Sequence, residues 1–167
     1  MIVLVDIDHT LSDAAWRDHL VPMARATGDW SAYYAAMDED DPIMFVVTLV
    51  RLLSQSYTVV GMTGRPETYR AKTLVWLRRN NVELFDVLMR PDGDRSSSPK
   101  LKVTMIRKKF PLDSIAFAIE DRDDCIAALR AIGIPVFKPM MEWNGSEEAE
   151  ESAGQAQGSR RRVPRAK

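Results

Sequence analysis

The chain repeatedly carries a short apolar, β-rich run straight into a polar cluster, and these runs alternate with helical stretches. Ile2-Val3-Leu4-Val5 runs into Asp6-Ile7-Asp8-His9-Thr10. Tyr57 to Met62 runs into Thr63-Gly64-Arg65-Pro66-Glu67, and Ser114 to Ile119 into Glu120-Asp121-Arg122-Asp123-Asp124. Continuously apolar runs of this length read as buried strands of a parallel sheet. Two further runs, Val87 to Met89 and Ile134 to Phe137, bring the strands to five. Strands alternating with helices predict an α/β fold with a mainly parallel five-stranded sheet and helices on both faces. Ligands of such sheets bind beyond the carboxyl ends of the strands, where the three polar clusters fall.

Helices are expected over Ile43 to Leu53, started by Asp41 as N-cap and Pro42 in the first turn. Others are expected over Glu67 to Arg79, over the basic stretch Lys100 to Lys109, and around Cys125 to Ile132, ended by Gly133. Asp13 to Met37 reads as helical but broken, punctuated by Pro22 and Gly28.

The 167 residues suit one domain, with 23 Lys and Arg against 24 Asp and Glu. No global basic field exists to gather nucleic acid without specificity. One cysteine, Cys125, forms no internal disulfide and is expected to pack as a small apolar residue. No apolar stretch approaches a membrane span, and the first run is too short for a signal-peptide core. The expected setting is cytoplasmic, with no membrane and no obligate protein partner implied. Residues 144–167 carry four glutamates, then a basic cluster, with few large apolar side chains. They are expected to form a disordered charged extension to a domain spanning 1–143, with an interaction tail as the alternative.

Asp6 and Asp8 lie two positions apart where the first strand runs out, so persisting strand geometry would put both on one face. Two carboxylates this close suit a nucleophile with an acid/base, or a hard-metal site. The alternative is a pair of solvated loop carboxylates. Thr63, Gly64 and Arg65 combine a hydroxyl, a flexible backbone N–H and a guanidinium, a plausible phosphate cradle. Asp121 and its neighbours offer carboxylates to complete a Mg²⁺ shell with Asp6, although Asp123 and Asp124 fit helix capping better. Lys100 and Lys102 are candidates to balance phosphate charge, against a solvated basic helix face.

Taken in order, these features resemble the haloacid dehalogenase (HAD) superfamily of phosphohydrolases, over roughly residues 1–139. The stretches Asp6-Ile-Asp-His-Thr-Leu11, Thr63-Gly-Arg-Pro-Glu67, Leu88-Met-Arg-Pro-Asp-Gly-Asp-Arg95 and Ile119-Glu-Asp-Arg122 look like the phosphatase domain of bacteriophage polynucleotide kinase. The resemblance implies a Rossmann-like HAD fold with a small helical cap over about residues 11–40. It implies that Asp6 attacks phosphorus to form an aspartyl-phosphate, with Asp8 as acid and then base. It implies Mg²⁺ held by Asp6, the backbone carbonyl of Asp8, and Asp121. Thr63 would bind the transferring phosphoryl oxygens and Lys102, with Lys100 as fallback, would stabilise the phosphoaspartate. Arg17, Arg65 and Gly64 would bind phosphate or substrate, with a solvated helix charge the alternative for Arg17. His9 stands where such proteins commonly have glycine, Glu120 where the kinase-linked domain has Asp, and Ser98 where it has an acidic residue. No Gly-x-x-x-x-Gly-Lys-Ser/Thr kinase motif is present.

The implied substrate is a phosphorylated nucleotide or nucleic-acid end, first of all a polynucleotide 3′-phosphate, with a 5′- or 3′-mononucleotide as the alternative. A catalytically silent binding module is the competing class, against which the retained Asp6, Asp8, Thr63 and Asp121 speak. The cap stretch holds Trp16, Trp30, Tyr33 and Tyr34. The commoner role of such aromatics is the core of a small insert, and the other is stacking on a base.

Overall fold

The computed structural model describes residues 1–139, so the expected charged extension lies outside the described residues. Five strands form one parallel sheet: β1 (Ile2–Val5), β4 (Thr58–Pro66), β5 (Asp86–Arg90), β6 (Ile115–Ile119) and β7 (Val136–Phe137). Their spatial order is β5-β4-β1-β6-β7, so β1 lies at the centre between β4 and β6. The three strands that end in polar clusters are therefore neighbours. The chain passes from β5, on one side of β1, to β6 on the other, and such a reversal opens a crevice at the carboxyl ends.

Alternation along β1 explains why its run is apolar throughout. Val3 and Val5 enter one core with Val46, Val50 and Trp76, while Leu4 enters a second core with Met62, Ile106 and Leu129. The first core is covered by α3 (Met44–Leu53) and α4 (Arg70–Arg79), the second by α5 (Ser98–Lys109) and α6 (Asp123–Ala131). A strand buried on both faces needs no polar alternation.

Asp41-Pro42 does not start a helix. It forms β3, antiparallel to β2 (Ser12–Asp13), and α3 begins after Ile43. The neighbouring Asp40 carboxylate is drawn fully inside to two arginines, and the backbone passes through it extended. These short strands bracket an insert of helical turns, including α1 (Val21–Thr27) and α2 (Ser31–Ala35). Pro22 sits in the first turn of α1, and Gly28 ends that helix at φ 75°, a left-handed conformation that glycine adopts at little cost. The second polar cluster also departs from expectation. β4 continues through Thr63, Gly64 and Arg65 to Pro66, with an irregularity in its pairing to β5 after Met62, and α4 begins only at Arg70.

Candidate active site

Asp6 follows the last residue of β1, and its backbone N–H donates to the Ile119 carbonyl at 2.9 Å. That bond fixes the end of β1 against the end of β6, so Asp6 meets the Glu120-Asp121 cluster. Lys102, on the inward face of α5, places Nζ 2.7 Å from Asp6 Oδ1 and 2.6 Å from Glu120 Oε2. Lys102 is 3% exposed, whereas Lys100 is exposed, so only Lys102 reaches the carboxylates. Burial, and then the Glu120 carboxylate, push Asp6 above the usual carboxylate range, with Lys102 pulling the other way. Burial opposes the Lys102 ammonium, but Asp6 and Glu120 outweigh it and hold the lysine above its ordinary value.

Asp6, Glu120 and Asp121 bring carboxylate oxygens within 4.8 Å of one another. Three hard oxygen donors around one point, with mutual repulsion to relieve, fit a divalent cation such as Mg²⁺. Asp121 is also held by the Thr10 hydroxyl, which donates to Oδ1 at 3.2 Å. The Asp8 carboxylate is not in this group, so of Asp8 only the backbone carbonyl is left to serve a cation.

The Asp8 side chain turns to two arginines. Arg17 Nη2 donates to Asp8 Oδ1 at 2.5 Å, and Arg65 Nη2 donates to the same oxygen at 2.8 Å. Behind them lies Asp40, which accepts from Arg17 Nε at 2.7 Å, from Arg17 Nη2 at 2.6 Å and from the Trp16 indole at 3.0 Å. Burial raises Asp8, but Arg65 and then Arg17 outweigh it and hold the carboxyl well below the usual range. Arg17 lies 4.1 Å over the Tyr33 ring, a cation–π contact.

This geometry changes the expected work of several residues. Arg17 and Arg65 are both 0% exposed and face Asp8 and Asp40 instead of the cleft, because the two carboxylates claim their donors. The Thr63 hydroxyl is also buried, donating to Asp8 Oδ2 at 3.4 Å and accepting from the Arg65 N–H at 3.2 Å. Gly64 lines the cleft, and its carbonyl accepts from Tyr34 Oη at 3.2 Å and Arg90 Nε at 3.1 Å. A Cβ there would meet nothing closer than 3.8 Å, so the backbone does not demand glycine. His9 sits at φ 62°, the left-handed region, which explains why glycine suits that place in similar proteins. Its Nε2 lies 3.2 Å from Asp18 Oδ1.

Asp6, Asp8, Lys102 and Asp121 open on one cleft of about 1530 Å³, walled by the insert on one side and the loop from Arg90 to Ser98 on the other. Two buried residues behind it do work that the sequence does not reveal. Asp40 sits in the acidic stretch Asp38-Glu39-Asp40-Asp41, where nothing marks one member as buried. Glu120 reads in the sequence as part of the carboxylate cluster after the run Ser114 to Ile119 and as a departure from Asp, whereas its work of holding Lys102 depends on α5 packing beside β6.

The sheet order, the insert and the carboxylates beyond the central strand define a HAD-class phosphatase. Residues 1–140 match the family model of the polynucleotide kinase PNKP phosphatase domain, and the chain belongs to that family. No curated protein matches it. Among solved structures, it is similar to a chain of the Pnkp1/Rnl/Hen1 RNA repair complex, with 22% identity and a TM-score of 0.70. That match covers 83% of this chain and 42% of the other, so this chain spans less than half the length of that relative. A predicted phosphatase from Clostridium acetobutylicum is similar at 16% identity and TM-score 0.61, covering 92% of this chain and 90% of that one. A haloacid dehalogenase-like hydrolase from Streptococcus pneumoniae follows at 14% identity and TM-score 0.57, with 92% and 90% covered. No helix among the described residues is long and apolar enough to cross a membrane.

Proposed function

We propose that the protein is a Mg²⁺-dependent phosphomonoesterase that removes the 3′-phosphate from a nucleic-acid end. The observation that carries the reading is the pairing of Asp6 with Lys102 at 2.7 Å, beside the arginine-held Asp8, at the base of one open cleft. The family match to a polynucleotide kinase phosphatase domain supports a nucleic-acid end as substrate, as does the likeness to a chain of an RNA repair complex.

Asp6 is the nucleophile. Its carboxylate attacks phosphorus, the bond to the sugar oxygen breaks, and an aspartyl-phosphate forms. Lys102 favours the ionised form of Asp6 against burial and Glu120, and then faces the phosphoryl oxygens. The negative charge of a bound phosphate monoester raises the proton affinity that Arg65 and Arg17 hold low in the free protein. Asp8 thus carries a proton to the departing sugar oxygen and afterwards takes one from the water that hydrolyses the acyl phosphate. Arg17 and Arg65 fix the Asp8 carboxylate in one orientation for both steps. Thr63 braces the same carboxylate, and the Gly64 backbone lines the phosphate site. Asp6, Asp121 and the Asp8 carbonyl would hold Mg²⁺, whose charge offsets the repulsion between nucleophile and phosphate.

The test is phosphate release with Mg²⁺ and with EDTA, comparing a 3′-phosphorylated oligonucleotide with 3′- and 5′-mononucleotides, and Asp6→Asn as the blank. Mg²⁺-dependent release from the oligonucleotide, absent in Asp6→Asn, is expected. Preference for one mononucleotide makes it a nucleotide-pool enzyme, and release by Asp6→Asn equal to that of the parent protein overturns the mechanism.

A further inference from the structure

We propose that Trp30, Tyr34 and Tyr69 form a stacking platform for the base of the nucleotide that carries the scissile phosphate. This rests on the phosphatase reading above and adds how the substrate is gripped.

The structure separates the aromatics of this region into two sets. Trp16 donates its indole N–H to Asp40, away from the cleft, and Tyr33 is 7% exposed beneath Arg17. Those two brace the Asp8 clamp. Trp30, Tyr34 and Tyr69 are only half-buried, and all three line the cleft that holds Asp6 and Asp8. They make a row: Tyr34 lies 6.2 Å from Trp30 at an interplanar angle of 35°, and 5.3 Å from Tyr69 at 42°. Trp30 and Tyr34 come from the insert, whereas Tyr69 precedes α4, so the row bridges the insert and the sheet domain.

The row is tied to the phosphate site at two points. Tyr34 Oη donates to the Gly64 carbonyl, next in sequence to Thr63. Tyr33, 5.5 Å from Tyr34, lies under the arginine that holds Asp8. A nucleoside that extends from Asp6 along the Gly64 side of this cleft meets these rings. Burial raises the Tyr34 phenol to about 12, so it remains a donor to Gly64 at neutral pH.

The charges of the cleft favour base contact over a backbone track. Asp92, Asp94, Asp123 and Asp124 line it together with Arg25, Arg90, Arg95 and Arg122. Arg90 is engaged by the Gly64 and Ser96 carbonyls, and Arg122 by Asp124. With both signs mixed and several charges paired with one another, the lining offers no continuous basic track for a run of phosphates, whereas a stacked base is held by its apolar face whatever the sequence.

The test compares kcat/KM for an oligonucleotide ending in an ordinary 3′-phosphorylated nucleotide with the same oligonucleotide ending in an abasic 3′-phosphate. The base-bearing substrate is expected to be favoured about 5- to 150-fold, the range one aromatic–base stack supplies, chiefly through KM. Trp30→Leu, Tyr34→Leu and Tyr69→Leu each lower that ratio toward one, and Tyr34→Phe, which keeps the ring, retains it. Equal rates on both substrates, or an unchanged ratio in all three leucine variants, overturn the platform and leave the phosphatase reading intact. Binding to Asp6→Asn of an oligonucleotide with 2-aminopurine at its 3′-phosphorylated end is read by fluorescence. Quenching that Tyr69→Leu removes supports the platform, and no quenching overturns it. If no version releases phosphate from any substrate, the phosphatase reading fails, and the fluorescence alone decides the platform.

Discussion

Lys102 Nζ lies 2.7 Å from Asp6 Oδ1, although 96 positions of sequence separate the two residues. The contact exists because α5 turns Lys102 inward beside Leu101 and Ile106, against the sheet that ends in Asp6. Removing the ammonium leaves Asp6 and Glu120 buried without a counter-charge. Lys102→Met is expected to abolish phosphate release and to cost about 3–5 kcal/mol of stability. Lys100→Ala, at an exposed position, is expected to cost under about 0.5 kcal/mol. Urea unfolding and phosphate release on the two variants check both, and equal effects would mean that Lys102 is not the site lysine.

Asp40 neutralises two fully buried arginines from behind while Asp8 faces the cleft. Asp40→Asn keeps the shape and removes the charge, leaving Arg17 and Arg65 undercompensated. The expected loss is about 3–5 kcal/mol, with reduced turnover because Asp8 is no longer held in one orientation. Chemical denaturation measures the first and steady-state kinetics the second. A stability change under about 1 kcal/mol would show that the arginines do not depend on Asp40.

The acid limb of stability depends on Asp8. Its folded value lies below its unfolded value, near 3.9, because Arg65 and Arg17 outweigh its burial. Its contribution is therefore present above the unfolded value and is lost as pH falls toward the folded one. Asp6 and Glu120, raised by burial, act with the opposite sign. The difference between the parent protein and Asp8→Asn isolates the Asp8 part, and it is expected to shrink as pH drops below about 4. Urea midpoints from pH 6 to 2.5 give this difference, and one that is constant with pH contradicts the clamp.

Cys125 is 0% exposed on α6, and burial pushes its thiol up to about 12. A neutral buried thiol is a poor nucleophile, so the native protein is expected to react with thiol reagents far more slowly than the unfolded chain. The same shift predicts stability falling as pH rises above the unfolded thiol value of about 8.5, because only the unfolded chain ionises. Thiol labelling with and without denaturant tests the first part, and rapid labelling of native protein would contradict it.

Local pattern was enough for the strands and for the residues that crowd their ends. A run such as Ile2 to Val5 has no polar face, so it must lie inside a sheet, and the carboxylates after it must emerge at the sheet's edge. That β1, β4 and β6 are neighbours follows from the sheet order β5-β4-β1-β6-β7, which local pattern does not encode. Arg17 was legible as a member of the site, but not the direction its guanidinium faces. Asp41-Pro42 misled because its local signal is that of a helix start. The long-range pull of Arg17 and Arg65 on Asp40, and the pairing of β2 with β3, override it.

What the sequence by itself determined was the α/β class, the order of the five sheet strands along the chain and the placement of Asp6, Asp8 and Asp121 just beyond the ends of β1 and β6. Those depend on periodicity and on residues next to one another in the chain. Only the tertiary structure decided which lysine meets Asp6, that both arginines hold Asp8 from behind, and which aromatics stay open to the cleft. Each of these is a contact between distant segments. It depends on which side chains burial strips of water, and so forces to find a partner inside the protein.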